Sequence, residues 1–250
     1  MNIRHFIFAA IMIIFTTSLA QASQNRPISM KFGADYFWSQ SSNYYIKRIN
    51  PITETLNPSI TPGSLRSTHW AGHVAVELVR PLSSTWTLNP ELSFLQLGNF
   101  SKNFNPFIEG PYESTDIINT FHSTMKGNII AAILNIDYLI NNKFSMYAAP
   151  GLGFANIKTT STLNYQTAED ATYFLITSKD RHSSFSPQFS IGIMYAMTTN
   201  VFFDLGLQYI WLGNISFGTF SRDSDNYTAT KVAADHVYLL GPKLNISFLF

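Results

Sequence analysis

Eight stretches of this chain alternate, residue by residue, between an apolar set and a mixed set, and every charge inside them belongs to the mixed set. Those charges are Lys31, Asp35, Glu77, Glu91, Asp137, Asp204 and Lys243. Successive side chains of a strand point to opposite faces, so each stretch reads as a strand with one side in an oily phase and one beside polar groups. A Lys or Arg set against lipid at mid-bilayer costs about 2–4 kcal/mol, and a parity rule for charge is what that cost leaves behind. The closing stretch, Val237 to Phe250, is the clearest case. Tyr238, Leu240, Pro242, Leu244, Ile246 and Phe248 oppose Gly241, Lys243, Asn245 and Ser247, and the sequence stops on an aromatic residue.

In chain order, Met30, Phe32, Ala34, Tyr36 and Trp38 form the apolar set of the first strand, and Trp70, Gly72, Val74, Val76 and Leu78 that of the second. The third runs from about Thr85 to Leu97. The fourth, Ile129 to Tyr138, is apolar on both parities as far as Leu134, which leaves a helix open there. Met146 to Phe154, Phe185 to Tyr195 and Phe203 to Trp211 supply the next three. Between them the connections go long, short, long, short, long, short, long. Loops are expected from Ser39 for about 30 residues, from Leu97 to about Thr124, Lys158 to Ser183 and Gly213 to Lys231, and tight turns at 80–84, 141–143 and 198–200.

The pattern predicts an all-β, eight-stranded, antiparallel up-and-down transmembrane barrel with extended loops on one side and short turns on the other. Ten residues rising about 3.3 Å each, tilted by about 40°, climb roughly 25 Å, the height of the apolar band. Outward aromatic residues fall into two girdles: Trp38, Trp70, Phe154, Phe185, Trp211 and Tyr238 at the loop side, and Trp86, Tyr138, Phe144, Tyr195, Phe203, Phe248 and Phe250 at the turn side. Pro90, Pro150, Pro187 and Pro242 lie inside strands, where each removes a ladder donor, so bulges or broken ladder bonds are expected at them.

Only 12% of residues are charged and 15% are aromatic, a poor composition for a soluble chain, yet past residue 22 no apolar run is long enough for a spanning helix. Arg4, the apolar run Phe6 to Phe15 and Leu19-Ala20-Gln21-Ala22 predict a signal peptide over residues 1–22, cleaved after Ala22, with the barrel domain over 23–250. Without Arg4 the 16 basic residues fall level with the 15 acidic ones, so no nucleic-acid partner is expected. The absence of cysteine excludes disulfides and thiolate metal sites.

Taken together the chain resembles the small eight-stranded outer-membrane barrel family of the OmpA membrane domain, OmpX and opacity-protein-like surface antigens. The local likeness lies in Asn135-Ile136-Asp137-Tyr138, Tyr147-x-x-x-Gly151-x-Gly153, Asp204-Leu205-Gly206-Leu207-Gln208-Tyr209 and the strand ending in Phe250. The resemblance implies the outer membrane of a Gram-negative bacterium, reached by export. Its partners would be outer-membrane lipids and lipopolysaccharide, the assembly machinery that takes the strand ending in Phe250, and an extracellular or host ligand. Family members often carry Arg where this chain has Gln208, which puts a family-type interior arginine bridge in doubt.

An eight-stranded barrel is just wide enough for its own side chains to fill it. Lys31 and Lys243, on the paired first and last strands, are expected to face Glu77, Glu91, Asp137 and Asp204 in a polar lumen network that also holds Asp35. A structural plug is one reading of that network and a narrow cation-preferring path the other. Some barrels of this size modify lipid A with a His-x-Ser pair and a downstream carboxylate. His182-Ser183-Ser184 has the spacing, but the next acid, Asp204, is expected on another strand facing inward. His69 and His73 lie about 13 Å apart along a strand, too far to share one metal, and read as lumen lining. No cofactor or metal site is expected. Aromatic residues crowd the expected loops, among them Tyr44, Phe107, Phe121, Tyr165, Phe217 and Phe220, where they either bind a ligand or pack on one another. A non-enzymatic surface protein, structural or adhesive, is the function expected. A low-conductance porin comes second and a lipid-modifying envelope enzyme third.

Overall fold

The computed structural model describes residues 27–41, 43–49, 67–104, 117–166, 173–221 and 229–250. The expected signal peptide and the tips of the expected loops lie outside these residues. Every regular element described is a strand: β1 (Ile28–Gln40), β2 (Asn43–Ile49), β3 (Ser67–Leu78), β4 (Trp86–Phe104), β5 (Ile117–Leu139), β6 (Phe144–Gln166), β7 (Tyr173–Ala196), β8 (Val201–Ser221) and β9 (Ala229–Leu249). Each pairs antiparallel with its neighbours, and β1 pairs with β9 to close the sheet. β1 lies along the lower half of β9 and β2 along its upper half, so these two share one place in the wall and the barrel has eight strand positions. In lipid this closure satisfies backbone donors and acceptors without leaving an edge.

The expected parity holds in the wall. Phe32, Trp70, Leu152, Phe189, Leu207 and Leu244 face out and are exposed, while Lys31, Asp35, Glu77, Glu91, Asp137, Asp204 and Lys243 are all buried inside. Outward aromatic rings meet at both rims. Tyr36 packs on Trp70 at 4.9 Å and Tyr209 on Tyr238 at 5.6 Å on the loop side, and Trp86 packs on Tyr138 and Phe144 on Tyr195, each at 4.9 Å, on the turn side. The doubly apolar stretch 129–134 is strand, and its double character has a plain cause. Ile130 and Leu134 face outward, whereas Ile129, Ala131 and Ile133 are buried in the barrel.

The three short turns use one device. Ser83 Oγ accepts from the N–H of Thr85 and Trp86, Asn141 Oδ1 from Lys143 and Phe144, and Thr198 Oγ1 from Asn200 and Val201. Such side-chain caps are why Ser, Asn and Thr mark turns in a sequence.

Long loops are the main correction. β6 runs on to Gln166 and β7 begins at Tyr173, so all but the tip of the loop expected at 158–183 is a two-stranded ribbon. β8 and β9 likewise run through most of 213–231, β4 and β5 through much of 97–124, and β2 lies within the loop expected after Ser39. Above the lipid the outward face is polar and the buried inward face mixes Ser123, Thr159 and Ser161 with Phe121, Ile215 and Phe217, so runs such as Lys158-Thr159-Thr160-Ser161-Thr162 show no regular apolar alternation to betray a strand.

Prolines break ladders without bulges. The β5–β6 register is interrupted between Ile133↔Gly151 and Ile136↔Ala148, beside Pro150, and resumes in the same register. The β1–β9 ladder skips from Asp35↔Lys243 to Trp38↔Leu240 across Pro242, again in unchanged register. The β3–β4 ladder ends at Glu77↔Glu91 next to Pro90, and β7–β8 ends at Gln188↔Ile210 next to Pro187. Each missing donor faces one neighbour, and the bond is lost on that side alone.

Above Gln188 and Ile210, among the described residues, β7 and β8 no longer pair. β8 shifts register against β9 between Trp211 and Gly213, Gly213 and Ile215, and Ser216 and Gly218. Gly213 (φ 75°) and Gly218 (φ 107°) take the left-handed backbone these irregularities need, and a Cβ at Gly218 would clash with Ser178 Oγ. Side-chain bonds stand in for the lost ladder. Ser184 Oγ donates to Leu212 O at 2.8 Å and Thr159 Oγ1 to Ser216 O at 3.1 Å, which draws β8 over the lumen.

Candidate functional site

The lumen is filled in two layers, and the charged residues form the lower one. Lys31 Nζ on β1 donates to Glu77 Oε1 on β3 at 3.0 Å and to Glu91 Oε2 on β4 at 2.8 Å. Asn135 Nδ2 on β5 donates to the same two oxygens at 2.9 and 2.8 Å. Asp137 is held by Thr87 Oγ1 and Asn89 Nδ2, and Asp204 by Asn245 Nδ2 at 2.8 Å. Asn245 also meets His73 Nδ1 at 3.0 Å through its Oδ1. Asp35 stands opposite Lys243 in the register, 0% exposed, with no hydrogen-bond partner on either oxygen. The seven sequence-predicted residues thus divide into a Lys31 triad with Glu77 and Glu91, two amide-held carboxylates, and the facing pair Asp35 and Lys243. Asn89, Asn135 and Asn245, which the sequence reading left out, complete the layer. Their signal was position alone, since each lies on the charged parity of its strand.

Close approach shapes this layer as well. Tyr147 lies over the next two strands of the wall, across the paired Gly192 and Gly206, where a Cβ at Gly206 would run into its hydroxyl and one at Gly192 would lie 2.7 Å from its ring. Two neighbouring strands must therefore carry glycine to admit one aromatic side chain.

The upper layer is mainly apolar, with His69 and the bonded pair Ser123 and Ser161 set into it. Phe37, Leu95, Leu97, Phe121, Met125, Ile129, Ile157, Ile210, Leu212, Ile215, Phe217 and Leu239 form one buried cluster inside the barrel. Phe121 and Phe217, both expected in loops, meet edge to face at 6.1 Å within it. Of the aromatic residues expected in loops, these two pack on each other. Tyr44, Phe107, Tyr165 and Phe220 lie outside the residues whose side chains are described.

Below the charged layer a cavity of about 220 Å³ opens toward the short turns, lined by Thr85, Thr87, Asn89, Ser247 and the acids Glu77 and Asp137. Water entering from the turn side meets the Lys31 triad first and the apolar cluster beyond it. The His-x-Ser pair does not assemble a relay. Ser184 donates to Leu212 O rather than to His182, and burial pushes the His182 imidazole below its ordinary pKa against the pull of Asp180. Asp204 pairs with Met194, twelve residues down β7 from His182, about 40 Å along the strand. His69 and His73 are both buried lumen residues, with the His69 ring 5.7 Å from that of Phe37.

A closed antiparallel wall with an oily outside, aromatic rims and an ionic interior defines the class of transmembrane β-barrels. Residues 6–234 match the outer membrane protein beta-barrel domain, and the chain belongs to that family. Membership implies the outer membrane of Gram-negative bacteria as its location. No curated protein matches the sequence. Among solved structures, the chain is similar to Ail, the attachment invasion locus protein of Yersinia pestis, in complex with the heparin analogue sucrose octasulfate. The identity is 13%, with 89% of this chain and 99% of that one covered and a TM-score of 0.37. Neisserial surface protein A is similar at 11% identity over 88% and 97% of the two chains, with a TM-score of 0.37. The outer membrane protease OmpT of Escherichia coli is similar at 10% identity over 91% and 97%, with a TM-score of 0.42.

Proposed function

We propose that this protein is a non-enzymatic surface barrel, closed to solutes, that works through the strand ribbons it raises above the outer membrane, in a structural or adhesive role. The observation that carries this reading is the two-layer filling of the lumen. An ion climbing the barrel would have to displace Lys31 from two carboxylates and then cross a layer built mainly from Phe37, Leu97, Phe121 and Phe217, where the few polar groups, such as Ser123 and Ser161, are bonded to one another. The strands meanwhile exceed what the membrane needs. β5, β6 and β7 have 23, 23 and 24 residues, a rise of about 60 Å against a lipid band of about 25 Å.

The test has two arms. Purified protein in planar bilayers is expected to give no steady conductance, and cells lacking residues 105–116, 167–172 or 222–228 are expected to lose surface attachment. Conductance with cation preference would favour the narrow-path reading, for which the acid-lined cavity at the turn side is the supporting feature. Unchanged attachment in every deletion would remove the adhesive role.

A further inference from the structure

Among the described side chains, the cations on the outer face of the upper wall all lie on one side. Lys126 on β5 pairs with Lys158 on β6, and Lys158 pairs with Arg181 on β7, so three exposed cations stand in one row across three neighbouring strands. Lys179, also exposed, lies on the same face one step above Arg181. Among the described side chains, no other cation lies on the outside of the upper barrel. The nearest acid, Asp180, is on the opposite parity and turns Oδ1 to the Arg181 backbone N–H at 2.7 Å. Arg181 Nε donates to Asn156 Oδ1 at 2.9 Å, which holds the guanidinium toward the membrane side of the row.

The height of the row follows from the register. Four residues nearer the membrane on the same face lie Ile130, Phe154 and Phe185, themselves paired in a row and exposed as the lipid-facing wall is. Asn128, Asn156 and Ser183 make a polar row in between. Four residues are about 13 Å along a strand and about 10 Å of height at a tilt near 40°. The cations therefore stand in the headgroup layer, on the side away from the short turns. Like charges set directly opposite on paired strands destabilise a sheet. This wall does so twice in succession, and an anion lying across the row would convert both repulsions into attractions.

We propose that Lys126, Lys158 and Arg181, with Lys179 above them, bind phosphoryl groups of the outer-leaflet glycolipid, lipopolysaccharide, and fix one such lipid against the β5–β7 side of the barrel. Arginine presents a planar fork that suits phosphate, and the lysines supply point charge on stems long enough to reach down to the sugar phosphates. A glycolipid fits better than a soluble polyanion because the polar and apolar rows beneath the cations continue into a surface that acyl chains already cover. The proposal is independent of whether the lumen conducts.

The test is titration of full-length protein in phosphatidylcholine nanodiscs with purified lipopolysaccharide and with the same material after phosphate removal. Wild type is expected to bind the phosphorylated form, more weakly as salt rises. The variant Lys126→Gln/Lys158→Gln/Arg181→Gln should bind at least tenfold more weakly, while Lys143→Gln, a charge loss at a turn on the far side, should bind as wild type does. Lys158→Gln alone removes the central cation and carries the same test should the triple variant fail to fold. Equal binding by wild type and variants, or undiminished binding after phosphate removal, would overturn the proposal. Tighter binding of soluble heparin than of the glycolipid through the same residues would overturn it in favour of a sulfated glycan.

Discussion

Lys31 and Asn135 hold the same two oxygens, Glu77 Oε1 and Glu91 Oε2, so that one ammonium and one amide bind together four adjacent strands. Glu91 is fully buried, and a buried carboxylate without its cation is far more costly than the pair was stabilising.

Lys31→Met is therefore expected to destabilise the barrel by about 3–5 kcal/mol, and Glu77→Gln, which leaves Lys31 on Glu91, by clearly less. Urea unfolding in lipid vesicles followed by tryptophan fluorescence gives the ranking. Equal losses would mean that the charge left on Glu91 is not the dominant cost.

Phe121 and Phe217 meet inside the upper layer, and both are essentially inaccessible. Phe217→Ala should cost about 3–5 kcal/mol and Phe217→Leu under about 1.5 kcal/mol. A loss near zero for the alanine variant, read in the same unfolding assay, would show that Phe217 does not belong to the packed core.

Pro150 interrupts the β5–β6 ladder in unchanged register. Pro150→Ala returns a donor to the gap, so the amide at position 150 should be protected from hydrogen exchange. The stability change should stay within about 1 kcal/mol, because a new bond offsets the entropy that proline had removed from the unfolded chain. Free exchange at that amide would mean the gap has another cause.

Leu244 faces lipid about midway between the Tyr238 and Phe248 rims, and Trp38 sits at the loop-side rim. Leu244→Arg is expected to cost about 2–4 kcal/mol and Trp38→Arg about 0–1 kcal/mol for its charge, beyond the lost ring contact. The reverse order from folding titrations would place the lipid band elsewhere on the wall.

Much of the wall was legible because lipid imposes its demand on every other residue. The parity of Lys31, Glu77, Asp204 and Lys243, the aromatic rims and the Ser83, Asn141 and Thr198 turns each follow from a local pattern. The ribbons above the membrane were not legible, since their outward face is polar and their buried inward face mixes Ser123, Thr159 and Ser161 with Phe121 and Phe217, which leaves no period in the hydropathy. The amide partners were also hidden. The charged parity of Asn135 turns it inward, but only the register places it between Glu77 and Glu91.

Sequence alone determined that this chain forms a closed cylinder of strands with its charges inside, because water-to-lipid transfer acts on each side chain separately and leaves its mark position by position. The tertiary structure alone decided that the filling is ionic below and mainly apolar above, and that Lys126, Lys158 and Arg181 stand side by side. Those facts depend on which residues of different strands share a level, and that is set by the stagger of the whole barrel rather than by any one segment.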